Sequence, residues 1–87
     1  MNDTVQNLLS DGYRFHQSGY IEEAEKLYRA ALRHERSNID ALNLLGMLCV
    51  NEFRPDEAIV YLVQALKKAP NNPETHANIA LAYKDTQ

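Results

Sequence analysis

The sequence predicts an all-α chain of tandem antiparallel helix–turn–helix repeats, two full repeats followed by one additional helix. Three observations lead there. The 87 residues align with themselves at an offset of 34. Ala24 falls on Ala58, Ala31 on Ala65, Leu8 on Leu42, Gly12 on Gly46, Glu23 on Glu57, Leu32 on Leu66 and Asn38 on Asn72, and a third copy starts with Ile79, Ala80 and Tyr83. Within each copy the apolar residues recur at helical spacing. Only 3 glycines and 3 prolines occur, with no low-complexity run, as in stacked helices rather than a disordered chain.

The first helix, about 4 to 17, follows a cap at Asp3 or Thr4 and carries Val5, Leu8, Leu9, Gly12 and Phe15 until Ser18-Gly19 breaks it. The second, about 21 to 35, has Ala24, Leu27, Tyr28, Ala31 and Leu32 as its apolar stripe. A third, about 38 to 52, starts at Ser37 or Asn38 and runs through Leu42, Leu45, Gly46 and Cys49. Pro55 opens a fourth, about 55 to 69, at a position that tolerates a missing N–H. Asn71-Asn72-Pro73 repeats the start signal for a fifth, about 73 to 86. These bounds divide a single domain, 1–87, into repeats of about 5–38 and 39–72 and a half repeat or capping helix at about 73–87. Close approach of Gly12 to Ala24 and of Gly46 to Ala58 is expected to hold each helix pair together. Leu8, Phe15 and Tyr28, and then Leu42, Cys49 and Leu62, are expected to fill the space around those contacts.

The 34-residue period now carries a resemblance. Leu8-x-x-x-Gly12 and Leu42-x-x-x-Gly46, Glu23-Ala24 and Glu57-Ala58, Ala31-Leu32 and Ala65-Leu66, and Pro70 before the next unit resemble the tetratricopeptide repeat family from Val5 to about Tyr83. Phe53 departs from the pattern where Gly19 closes the first turn, as do His76 in the place of Leu8 and Leu42 and Asp11 in the place of Leu45 and Ile79. The resemblance implies a right-handed superhelix whose first helices line a concave groove for extended or helical segments of partner proteins. The groove residues it implies are Leu9, Tyr13, His16, Asn43, Leu44, Met47, Asn51, Asn78 and Leu81. Leu9, Tyr13, Leu44, Met47 and Leu81 would form an apolar middle inside a polar rim. The carboxylate clamp of chaperone-tail-binding relatives is missing, because its places hold Leu9, Tyr13, Leu44, Glu74 and Asn78. The competing reading has a further helix of a longer chain covering the patch.

Composition narrows the function further. A chain of this size buries only about 64% of its unfolded surface, which leaves little stability for a strained catalytic site. No enzyme activity and no cofactor are expected. His16, His34 and His76 fall on three different helices without ligands at metal spacing. Ser10 and Asp11 are adjacent, about 100° apart around a helix, and do not form a triad with His16. A net charge of -3 lacks the basic footprint of a nucleic-acid binder. No apolar stretch is long enough for a membrane span, and Met1-Asn2-Asp3-Thr4 does not read as a secretory leader. The lone Cys49 reads as a buried thiol in a reducing cytoplasm.

The partner that the resemblance implies is a protein or peptide, and composition adds the expectation of no nucleic acid and no membrane. Ala58 to Val63 is apolar around most of its helix, and a helix apolar all round is normally covered all round. Weak self-association through Val60, Tyr61, Val63, Ile79 and Tyr83 is the expectation that follows, since the fifth helix otherwise has no partner before Gln87. One rival remains: openings like Gly19-Tyr20-Ile21-Glu22-Glu23-Ala24 resemble the substrate-recognition repeats that precede bacterial transferase domains.

Overall fold

The computed structural model describes residues 3–86. Met1, Asn2 and Gln87, which belong to the leader reading and to the domain bounds, lie outside them. The described residues fold as five helices without strands: α1 (Asp3–Gln17), α2 (Ile21–His34), α3 (Ile39–Asn51), α4 (Pro55–Lys68) and α5 (Pro73–Asp85). Each bound agrees with the sequence expectation to within a residue. Asp3 and Thr4 lie inside α1 rather than ahead of it. The two asparagines behave as start signals should. The Asn38 side chain accepts the Ala41 backbone N–H at 2.9 Å, and that of Asn72 accepts from Thr75 at 3.0 Å. Helices α2 and α4 begin without a side-chain cap, on Tyr20 and Arg54, and rely on first-turn acids, Glu22 and Glu23 in one and Asp56 and Glu57 in the other.

Both repeat turns close the same way. Gly19 N–H donates to His16 and Tyr20 N–H to Phe15, while 34 residues on Phe53 donates to Val50 and Arg54 to Cys49. This pairing requires a left-handed residue at its corner. Gly19 meets that demand at φ 85° and Phe53 at φ 59°. Phenylalanine thus takes a glycine's conformation, with its ring 87% exposed.

Inside each pair the glycine contact differs from expectation. A Cβ on Gly12 would lie 2.6 Å from the Tyr28 ring, and one on Gly46 would collide with the Leu62 side chain. The glycines are therefore holes filled by the large residue at the 28 and 62 positions, rather than partners of Ala24 and Ala58. Ala24, Ala31, Ala58 and Ala65 are fully buried in the same seams. The first core cluster joins Val5, Leu9, Ala24, Tyr28 and Ala31 to Ala41, Leu45 and Leu48. The second gathers Cys49, Ala58, Leu62 and Ala82. Tyr61 packs against both clusters. Phe15 and Tyr83 are not core residues: they are 39% and 49% exposed. Cys49 is small enough to be enclosed at their shared register position, whereas the Phe15 ring lies edge-on to Tyr20 with centroids 6.0 Å apart.

A polar seam crosses from the first pair to the second. Glu25 accepts from Arg29 of its own helix at 2.7 Å and from Arg54 at 2.8 Å, and Arg54 also reaches Glu57. Arg29 in turn donates to the Tyr61 hydroxyl at 2.6 Å and lies 5.6 Å from the centre of that ring. Tyr61 is thereby half-buried, with its hydroxyl and ring engaged by Arg29.

Candidate functional site

Because α3 contacts both α1 and α5, the first helices of successive units lie side by side. Four-residue spacing then puts matched side chains on one face. Leu9 and Tyr13 from α1 and Leu44 from α3 line a cavity of about 350 Å³ with Gln6, Ser10, Asp40 and Glu74. Tyr13 is 48% exposed, Leu44 is half-buried, and Leu9 shows only its edge. Three of the residues expected in the groove thus share one concavity.

The remaining six are placed differently. Met47 is half-buried and Leu81 is exposed, and neither lines the cavity. His16 is half-buried, 3.4 Å from both the Tyr28 hydroxyl and the Asn51 amide. Burial lowers its pKa, against an opposing pull from Glu52, so the imidazole is neutral near pH 7. Asn51 is exposed. Asn43 is enclosed and its Oδ1 accepts the Thr75 hydroxyl at 2.9 Å, which makes it a bracket between α3 and α5 rather than an open groove residue. Asn78 is also enclosed, and among the described residues its Nδ2 has no acceptor. An asparagine reads as a polar groove position by register alone, and only the α3–α5 packing reveals the enclosure.

A second concavity of about 360 Å³ opens beside the first turn, between Asp11, Arg14, Phe15, Ser18 and Tyr20. Sequence reading missed it, because it depends on Phe15 turning toward Tyr20. Among the described residues, no three His, Cys, Asp or Glu side chains are grouped to share a metal ion. Burial pushes the Cys49 thiol up to about 11 despite the counteracting Arg54, which leaves it protonated and unreactive near neutral pH.

Residues 39–72, the whole of α3 and α4 with their flanking turns, match the family model described as tetratricopeptide repeat. Those residues carry the pattern of a tetratricopeptide repeat. No curated protein matches it. The matched tetratricopeptide repeat contributes Asp40 and Leu44 to the cavity. The α1–α2 pair reproduces its register, its turn closure and its glycine hole. Tetratricopeptide repeats are protein-interaction scaffolds, typically without catalytic activity of their own. No described helix is long and apolar enough to cross a membrane.

Proposed function

We propose that the chain is a non-enzymatic interaction scaffold that takes an apolar segment or helix of a partner protein in the groove between α1, α3 and α5. The supporting observation is the shared cavity: Leu9, Tyr13 and Leu44 leave the helices together and polar side chains surround them. The lone, buried Cys49 fits a reducing, cytoplasmic setting. The test is affinity capture with the parent chain and with Tyr13→Glu, whose half-exposed side chain makes the change tolerable to the fold. Loss of the captured partner with an unchanged circular dichroism spectrum is expected. Retained binding would move the site elsewhere.

A second reading, weak pairing of two copies, has one specific observation in its favour. Glu25 and Arg29 form the polar seam toward the second pair, yet their counterparts 34 residues on are Ile59 and Val63, with Val60 beside them 58% exposed. An apolar face has replaced a charged one. On α5 Ile79 is half-buried against the cluster that Ile59 also packs on, and Tyr83 is exposed. Sedimentation equilibrium should show association in roughly the micromolar range, abolished by Val60→Lys with Val63→Glu. A parent chain that stays monomeric up to about 500 micromolar would remove this reading.

A further inference from the structure

We propose that the groove is selective for a basic side chain, an arginine or lysine set in an otherwise apolar segment of the partner protein. This rests on the groove being the binding site, and it adds what the site selects. Two carboxylates, Asp40 from α3 and Glu74 from α5, border the cavity whose apolar wall is Leu9, Tyr13 and Leu44, and among the described residues no lysine, arginine or histidine lines it. Some acids elsewhere on the molecule do have cations beside them. Glu25 is held by Arg29 and Arg54, Glu57 by Arg54, and Asp11 by Arg14. Among the described residues neither Asp40 nor Glu74 has such a partner within ion-pair distance.

Their place in the first turns of α3 and α5 explains why the fold tolerates them, since the helix dipole favours an acid there. It supplies no cation. Beside an apolar wall a carboxylate's field is less screened than in open water, so the groove presents negative potential to an incoming side chain. An arginine suits both halves of this surface. Its methylene stem covers Leu9 and Leu44, its guanidinium faces the Tyr13 ring, and its donors reach the carboxylates. A partner acid would instead be repelled from the same spot.

A displayed library of random peptides, selected on the full chain and counter-selected on Tyr13→Glu, tests this directly. Tyr13-dependent binders should be enriched in arginine and lysine relative to the starting library. For a synthetic binder, replacing its arginine by the neutral isostere citrulline should weaken binding at least about tenfold at low ionic strength. That gap should close in Asp40→Asn with Glu74→Gln, two exposed substitutions whose folding is checked by circular dichroism. Tyr13-dependent binders without basic enrichment, or a citrulline gap that persists in the double variant, would overturn the proposal and leave the groove reading standing. Selection yielding no Tyr13-dependent binder would overturn both.

Discussion

Arg54, at the start of α4, places its guanidinium 2.8 Å from the Glu25 carboxylate of α2 and so ties the second helix pair to the first. Both side chains are largely withdrawn from solvent, at 33% and 20% exposure. Such a pair is less screened than an exposed one, and Arg29 and Glu57 complete its hydrogen bonding. Arg54→Ala combined with Glu25→Ala in a double-mutant cycle should give a coupling energy of about 1 kcal/mol by chemical denaturation. Zero coupling would mean that the seam is decorative.

The same seam sets a pH dependence. Hydrogen bonds from Arg54, and then from Arg29, hold the Glu25 carboxyl below its ordinary 4.5 against the opposing effect of burial. A depressed folded value means stability fully present above about 4.5 and lost as pH falls through the lower folded value. His16 acts with the same sign at higher pH. Burial lowers its folded value from 6.5, so its contribution is present above 6.5 and lost as acid protonates the ring in the folded chain. Melting temperature should therefore fall in two stages on acidification from pH 7. His16→Gln should flatten the upper stage and Glu25→Gln the lower, and unchanged profiles would contradict these assignments.

Phe53 stores strain without packing in return. An L-residue at φ 59° costs roughly 1 to 2 kcal/mol relative to glycine's easy access to that region, and its ring is 87% exposed. Phe53→Gly should stabilise the chain by about 1 kcal/mol, measured by urea denaturation. Gly19→Ala should do the reverse by a similar amount. A Cβ at Gly19 meets nothing within 4 Å, so backbone conformation alone is at stake.

The helix bounds and the two-repeat register were readable because caps, breaks and small residues recur at 34 residues. Asn38 and Asn72 cap in the same way, and Gly12 and Gly46 open the same hole. Side-chain rotamers do not repeat with the sequence. Nothing in the pattern says that Gly12 receives the Tyr28 ring rather than Ala24, or that Phe15 lies against Tyr20. The Glu25, Arg29, Arg54 and Tyr61 cluster escaped notice for a related reason. Its cross pairs, Glu25 with Arg54 and Arg29 with Tyr61, are 29 and 32 residues apart, off the repeat period, and meet only because long side chains reach from one helix pair to the next. In the candidate site, Leu9, Tyr13 and Leu44 followed from register, whereas Asn43 and Asn78 took their enclosure from the α3–α5 contact.

The glycine holes can be tested by filling one. Gly46→Ala gains helix propensity of about 1 kcal/mol, but its methyl would collide with Leu62 in a seam where Ala58 and Ala65 are already fully buried. Overpacking of about 1 to 3 kcal/mol should win, so the variant should melt lower than the parent. Adding Leu62→Ala should make the Gly46→Ala change favourable within that background, because the obstructing side chain is gone. A glycine change that destabilises equally in both backgrounds would place the collision elsewhere.

The bracket between α3 and α5 offers the last test. Thr75 donates its hydroxyl to Asn43 Oδ1 at 2.9 Å in a fully enclosed position, where water is not at hand to replace it. Thr75→Val keeps the branched shape and removes the donor, so the carbonyl is left buried without that bond and the chain should lose about 1 to 3 kcal/mol. The register supplies the repair. Position 43 corresponds to Leu9 on α1 and position 75 to Ala41 on α3, both buried apolar residues at the preceding junction of first helices. Asn43→Leu added to Thr75→Val removes both polar groups together, and exchanging a hydrogen-bonded pair for apolar side chains of similar shape is nearly neutral. The double variant should therefore recover most of the stability lost by Thr75→Val. If it falls further instead, Asn43 holds α5 through more than this one bond.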